Sequence, residues 1–162
     1  MAIYFPDEAQ TRAAHVINIT EKNSSTRVSL SNISGSNVAT IWDLGTINKK
    51  VSGSVIVCTG VMVCSGPTAS GHVIPYFQLN NGDYRGGWYY NYGSGHSYGC
   101  VAPISWSVTG ETATGNIAVK IKYGAGGGGG ERPFNTLNPN SNDDSRLSGG
   151  VYSRAVIWEV LL

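Results

Sequence analysis

Five consecutive glycines, Gly126–Gly130, stand in the stretch KIKYGAGGGGGERPFN. A phosphate-binding loop would join a strand to a helix and continue into Lys-Ser or Lys-Thr, which contact the phosphates and magnesium. Here Glu-Arg-Pro follows at 131–133, its acidic first residue would repel a phosphate, and no helical pattern comes next. The dinucleotide fingerprint fails too, because no βαβ unit surrounds the glycines. We therefore expect a long glycine-led loop between two sheet strands, with Phe134 and Leu137 as apolar anchors.

A second stretch, RGGWYYNYGSGHSYG, interleaves aromatic residues with glycines. Aromatic and small polar residues on loops provide contact area at low entropic cost, as in binding loops generally, and stacking on a sugar ring is one use of them. The competing interpretation, and the commoner use, is that alternate members of WYY pack in the core or against a neighbouring subunit. The candidate ligand or receptor surface comprises Arg85, Trp88, Tyr89, Tyr90, Tyr92, His96 and Tyr98.

Residues for catalysis or metal binding are scattered along the chain. His15, His72 and His96 have no metal-ligand spacing to one another or to cysteine. His96 and Cys100 could form a Cys-His pair, but no third orienting group is marked. The aspartates at 143–144 lack the spaced oxygen ligands of a calcium loop. The sequence predicts no catalytic residue, no metal site and no cofactor, and hence a protein that is not an enzyme.

The cysteines number three: Cys58, Cys64 and Cys100. An odd count without a secretory signal favours reduced, buried thiols. Cys58 and Cys64 lie too far apart along one extended run to bridge each other. We therefore expect no structural disulfide.

Composition limits the possible partners. The 162 residues fit one domain, and the net charge of +1 gives no field that would attract nucleic acid or an anionic membrane. No apolar run reaches the ~20 residues of a transmembrane helix. Charged residues are 13% of the chain, about half the usual share, which suggests that part of the surface is buried in an assembly.

Period-two alternation of apolar residues recurs throughout the chain, and helical periodicity is nearly absent. In NIAVKIKY, four apolar residues point one way and two lysines the other, which is typical of a half-buried strand. The run SGSVIVCTGVMVCSG is apolar on both faces, which predicts a central strand covered again on the outside by another subunit. Gly60 in its middle predicts a bulge or bend. One face comprises Val55, Val57, Val61 and Val63, and the other comprises Ile56, Cys58, Met62 and Cys64.

Further strands follow from the same alternation. In HVINIT, Ile17 and Ile19 are expected to share a face. The stretch HVIPYFQLNNGDY predicts a hairpin with a type I′ turn at 81–82, and Pro75 predicts that its strand is at an edge or bulged. Eight to ten short strands between Gly, Asn and Ser turns indicate an all-β antiparallel sandwich, most simply a jelly roll.

Several segments together resemble small virion proteins of tailed phages that infect marine bacteria, cyanophages especially. The matching stretches, in order, are IYFPDEAQT, SGSVIVCTGVMV, YFQLNNGDY, APISWSVTGETATGNIAVKIKY and YSRAVIWEVLL. Their order and spacing cover most of the chain. The family's opening motif usually has glycine where Glu8 stands, and neither the aromatic stretch nor the glycine run has a family counterpart.

The resemblance implies a jelly-roll domain at 15–162 that trimerises, similar to tumour-necrosis-factor-like and complement-globular heads. Residues 1–14 would form an attachment segment anchored by Ile3, Tyr4 and Phe5. The protein would assemble in the host cytoplasm and lie on the virion exterior as a tail-fibre-like head, knob or capsid decoration. It would contact other capsid or tail proteins and could bind a host-surface glycan. The candidate subunit interface comprises Ile56, Cys58, Met62, Cys64, Gly126, Gly128 and Gly130.

The alternative function is that of a soluble lectin, a carbohydrate-binding β-sandwich acting through Trp88, Tyr90, Tyr92 and Tyr98.

Overall fold

The structure is a computed structural model that describes residues 15–25, 28–30, 38–65, 71–86, 89–91, 99–126, 132–134 and 153–162. All regular elements in these ranges are β-strands. None of the described residues form a helix long and apolar enough to cross a membrane. The strands are β1 His15–Ser24, β2 Val28–Leu30, β3 Ala39–Lys49, β4 Val55–Ser65, β5 Gly71–Leu79, β6 Gly82–Arg85, β7 Tyr89–Asn91, β8 Gly99–Val108, β9 Gly115–Gly126, β10 Arg132–Phe134 and β11 Ser153–Leu161.

The strands form two antiparallel sheets. Sheet I runs β1-β11-β4-β8, and the short β10 and β2 extend it beside the end of β4. Sheet II runs β3-β9-β5, and β6 and β7 pair with successive halves of one side of β5. If β6 and β7 count as one interrupted strand and β2 and β10 are set aside, the eight strands have the order 1-8-3-6 and 2-7-4-5. This is the double Greek key of a jelly roll, so the predicted fold class is confirmed.

The core lies between the two sheets. The predicted alternation of NIAVKIKY is confirmed, because Ile117, Val119, Ile121 and Tyr123 of β9 are buried. Phe77 of sheet II and Trp106 of sheet I stack across the interior, with their ring centroids 5.5 Å apart. Stacking of this kind adds to the hydrophobic gain from burying two large rings.

Gly60 does not form the predicted bulge. The register of β4 is continuous through Gly60 on both sides, against β11 and against β8. A Cβ built at this position would lie 2.0 Å from the Arg154 carbonyl oxygen and 2.9 Å from the Ala155 Cα. Glycine is needed here because the backbone of β11 approaches too closely for a side chain.

Pro75 is not in an edge strand, because β5 lies between β9 and the β6/β7 pair. Pro75 lies opposite the break between β6 and β7. β6 pairs with Tyr76–Leu79, and β7 pairs with Gly71–Val73. The Pro75 carbonyl accepts a hydrogen bond from the Gly86 N–H at 2.7 Å. The N–H and C=O of a strand residue point toward the same neighbouring strand. The N–H that proline lacks would therefore point toward the break between β6 and β7, where the partner strand is interrupted.

The turn of the predicted hairpin lies one residue earlier than expected. The β5–β6 hairpin is confirmed, but Leu79 pairs with Gly82, so the turn is formed by Asn80 and Asn81, with Asn80 at φ 55°.

In β1 the register shifts between Val16 and Asn18, which is a bulge at Ile17. A bulge changes the alternation locally. The register gives Ile17 no partner, so its shared face with Ile19 stays a prediction.

Candidate functional site

The outer side of sheet II is polar. Its rows of paired residues include Thr40 with Lys122 and Tyr76, and Asp43 with Lys120, Gln78 and Asp83. The Lys122 Nζ donates to the Asp83 carboxylate at 2.9 Å and links two strands of the sheet. This is the pattern of an antiparallel sheet with one face in water.

The outer side of sheet I is more apolar than that of sheet II. Registers across β1, β11, β4 and β8 place Val16 with Val160 and Val55, and Ile19 with Trp158, Val57 and Ser107. The next rows join Glu21 to Val156, Thr59 and Ser105, and Asn23 to Arg154, Val61 and Pro103. Val55 is buried at 6% exposure, so it is left out of the surface. We name the following set the outer apolar face: Val16, Ile19, Val57, Val61, Val156, Trp158 and Val160.

Exposure on the outer apolar face is highest at its β1 edge. Ile19 is 54% exposed and Val16 is 49% exposed, while Val61 of β4 is 37% exposed. The other large apolar side chains found exposed in the described ranges are Leu161 and Leu162, at the end of sheet I. Among the residues whose burial the structure describes, which leaves out those of β7 and of the first part of β5, no exposed large apolar side chain belongs to sheet II.

The predicted subunit-interface residues of β4 are core residues. Ile56, Cys58 and Met62 are 0% exposed and belong to the core cluster between the sheets. A side chain fully enclosed by its own chain cannot contact another subunit, so the prediction is wrong for these three. Alternation along β4 assigns any external contact to the opposite side, the outer apolar face. Gly126 ends β9; the Cys64 side chain, Gly128 and Gly130 lie outside the described part of the structure.

A buried carboxylate lies at one end of the sandwich. Glu159 of β11 is 3% exposed, and its carboxylate accepts hydrogen bonds from the N–H groups of Lys50 and Val51 at 2.9 and 2.8 Å. The Ser54 hydroxyl donates to it at 2.8 Å. Lys49, itself 1% exposed, donates its Nζ to the Val51 carbonyl. These contacts bind the loop between β3 and β4 to the last strand of the chain.

The surroundings of Glu159 determine its charge. Burial acts most strongly and raises its pKa, but the N–H groups of Lys50 and Val51, the Ser54 hydroxyl and the charge of Lys49 act in the opposite direction. Together they hold the pKa below its ordinary value. The carboxylate is thus ionised and fully engaged by donors, which is the arrangement of a structural clamp.

Sequence reasoning missed Glu159, although a signal was present. In the segment AVIWEVLL, Glu159 has the same parity as Ala155 and Ile157, which places it on the buried side of its strand. An acidic residue at a buried position requires hydrogen-bond donors or a cation. The identity of those donors depends on the pairing of distant segments.

The predicted ligand surface is described only in part. Arg85 ends β6, while Tyr89 and Tyr90 lie in β7, where they pair with Val73 and His72. His72 also pairs with Gly126 on its other side. The sheet register therefore brings the aromatic stretch and the start of the glycine run to either side of β5, at one end of sheet II. Other predicted residues lie outside the described part: Ile3, Tyr4, Phe5, Trp88, Tyr92, His96, Tyr98 and Leu137.

Groups with potential for chemistry are otherwise few in the described ranges. These ranges contain no cluster of three or more His, Cys, Asp or Glu side chains that could hold a metal ion. Cys58 is a buried free thiol, as predicted, and burial raises its pKa to about 12. A thiol so far from ionisation at neutral pH is a poor nucleophile.

Comparisons with known proteins give distant similarity to solved structures alone. No protein-family model and no curated protein matches the chain. A solved structure described as "Structure of infectious bursal disease virus Gx strain" aligns with a TM-score of 0.39 and 11% sequence identity. The alignment covers 88% of this chain and 37% of that chain, so this chain spans well under half the length of that protein.

Proposed function

We propose that this protein is a non-enzymatic structural protein of a bacteriophage virion, which assembles with copies of itself through the outer apolar face. The observation that carries this proposal is the difference between the two outer sides of the sandwich. Sheet II presents lysines, aspartates and an ion pair to water, whereas sheet I presents valines, an isoleucine and a tryptophan beside the Glu21–Arg154 ion pair. Contiguous exposed apolar surface on one side of a protein marks an interaction site.

The charges around the outer apolar face favour a second copy of this chain as its partner. The charged residues in its rows are Glu21 and Arg154, whose side chains are 3.0 Å apart and neutralise each other. A second copy can therefore approach without a net like-charge penalty. The net charge of +1 likewise gives little repulsion between copies.

The particle-level part of the proposal is supported by the sequence resemblance and by the jelly-roll topology. The segments that resemble marine tailed-phage virion proteins cover most of the chain. They favour a trimer on the virion exterior, as a tail-fibre-like head, knob or decoration, in contact with other capsid or tail proteins. Host-surface binding would belong to the end of sheet II that carries the aromatic stretch.

A pair of variants tests the association. Ile19→Lys places a charge on the edge strand of sheet I, and Thr46→Lys places the same charge on the edge strand of sheet II, where Thr46 is exposed. Light scattering at micromolar concentration should give a multiple of the 17.1 kDa monomer mass for wild type and for Thr46→Lys. Ile19→Lys should weaken association at least tenfold, because the charge would be desolvated in an apolar interface.

Two results would overturn this assignment. A wild-type mass of 17.1 kDa would show that the protein is a monomer. Equal effects of the two lysine substitutions would show that the outer apolar face is not the interface. Circular dichroism should show both variants folded, because each replaces an exposed residue. Immunogold labelling of intact virions with an antibody to this chain tests the particle location separately.

A further inference from the structure

We propose that Cys64 and Cys100 form a cross-strand disulfide when the protein is exposed to a disulfide oxidant. The register of β4 and β8 pairs these two residues directly, and they belong to an unbroken ladder from Ile56↔Val108 to Ser65↔Gly99. Sequence spacing gave no indication of this, because the two residues are far apart along the chain. The pairing of the strands makes them neighbours.

The geometry of an antiparallel ladder suits a disulfide. Directly opposed residues have Cα atoms about 4.5 or 5.5 Å apart, depending on the hydrogen-bonding position. Disulfides span Cα separations of about 4.4–6.8 Å. Opposed residues of a ladder project to the same side of the sheet with Cβ atoms about 4.5–5.5 Å apart, and a disulfide spans about 3.5–4.5 Å, so a small approach of the two strands is enough.

The third cysteine provides an internal contrast. Cys58 lies on the same strand as Cys64, but its register partners are Trp106 on β8 and Ile157 on β11. It is 0% exposed and is enclosed in the core. A bridge that includes Cys58 would require the sheet to separate, so one thiol should remain after oxidation.

The reaction is balanced with a small-molecule disulfide such as oxidised glutathione as the oxidant. The thiolate of one cysteine attacks a sulfur of the oxidant, forms a mixed disulfide and releases one glutathione thiolate. The second protein thiolate then attacks the protein-bound sulfur and releases the second glutathione. The two protein thiols lose two protons and two electrons in total, and one oxidised glutathione becomes two reduced glutathiones.

The location of the bridge indicates its effect. Cys64 is one residue from the end of β4, and Cys100 is one residue from the start of β8. The bridge would join these ends, which are followed in the sequence by residues 66–70 and preceded by residues 92–98; the second range contains Tyr92, His96 and Tyr98. If the proposed function holds, the thiols stay reduced during assembly in the cytoplasm, and the bridge closes after the particle enters an oxidising medium.

The test is a thiol count on the full chain. The protein is refolded with oxidised and reduced glutathione, then unfolded and labelled with iodoacetamide. We expect one labelled cysteine, Cys58, and a non-reduced peptide pair that joins Cys64 to Cys100. Three labelled cysteines, a disulfide containing Cys58 or a crosslinked dimer would each overturn the proposal.

Variants and a second readout complete the experiment. Cys58→Ser should still form the bridge, while Cys64→Ser and Cys100→Ser should each leave two labelled thiols. Reduction of wild type should lower Tm by roughly 10 °C, because the crosslink restricts the unfolded chain, and should leave the Tm of Cys100→Ser unchanged. These measurements use purified protein, so their outcome is independent of the particle labelling that tests the proposed function.

Discussion

At the scale of single residues, Glu159 shows how one polar group joins distant parts of the chain. The carboxylate belongs to the last strand, yet its donors lie more than a hundred positions earlier. Removing an acceptor of this kind leaves buried donors without partners, and such groups carry a large desolvation cost. Glu159 therefore stabilises the end of the sandwich at which β3 turns into β4.

Glu159→Gln should lower the free energy of unfolding by about 2 kcal/mol at pH 7, because a charge-assisted acceptor becomes a neutral one. The folded-state pKa of Glu159 is lowered, so its contribution is complete above the ordinary glutamate pKa of about 4.3 and is lost as the pH falls through the lower folded value. Urea denaturation at several pH values should show the wild type and the variant converging in acid.

The matched control is Glu21→Gln. Glu21 is 47% exposed in its ion pair with Arg154, and the change should cost less than about 1 kcal/mol. A difference between wild type and Glu159→Gln that stays constant down to the acid limit would contradict the assigned role.

At the scale of elements, β4 is the strand on which sheet I depends. It pairs with β8 along one side and with β11 and then β10 along the other. Its inner side supplies core residues, and its outer side belongs to the outer apolar face. The doubly apolar pattern follows from this position, and Gly60 allows β11 to lie against it.

Gly60→Ala should lower the free energy of unfolding by about 3 kcal/mol, because the new methyl group meets the backbone of β11 and cannot be accommodated by a side-chain rotation. Gly53→Ala is the control. Gly53 has a positive φ of 76°, and a Cβ added there would meet no atom within 4 Å, so the change should cost only about 1 kcal/mol of backbone strain. Thermal and urea unfolding of the two variants give the comparison, and equal losses would show that close approach is not the cause.

At the scale of the whole molecule, the sandwich has two unlike outer sides, and the proposed assembly follows from that difference. An interface made of valines, isoleucine and tryptophan is held by the hydrophobic effect and not by ion pairs. Its response to salt should therefore differ from that of a charged interface.

The oligomer should persist when NaCl is raised from about 0.05 M to about 1 M, where the Debye length falls to about 3 Å. Light scattering across this range should give a constant mass, because NaCl screens interactions between charges and leaves apolar association in place. Dissociation at high salt would indicate that exposed charges, and not the outer apolar face, hold the copies together.

The sequence by itself determined the strand character of the chain, the inward residues of β9 and the doubly apolar pattern of β4. These follow from local alternation and turn chemistry, which neighbouring residues establish. Alternation separates the two sides of a strand, but it does not say which side faces the other sheet. For that reason the predicted interface was placed on Ile56, Cys58 and Met62, which belong to the core.

Only the tertiary structure decided which strands pair and in what register. Strand pairing places β11 against Gly60 and puts Pro75 opposite a break in the partner of β5. It also brings the N–H donors of Lys50 and Val51 to Glu159. In sheet I it sets Cys64 opposite Cys100. Apart from the Pro75 contact, which lies within the β5–β6 hairpin, these contacts join segments that are distant along the chain. Their formation depends on the closure of long loops and on the fit of two whole sheets, and neither is encoded in any local pattern.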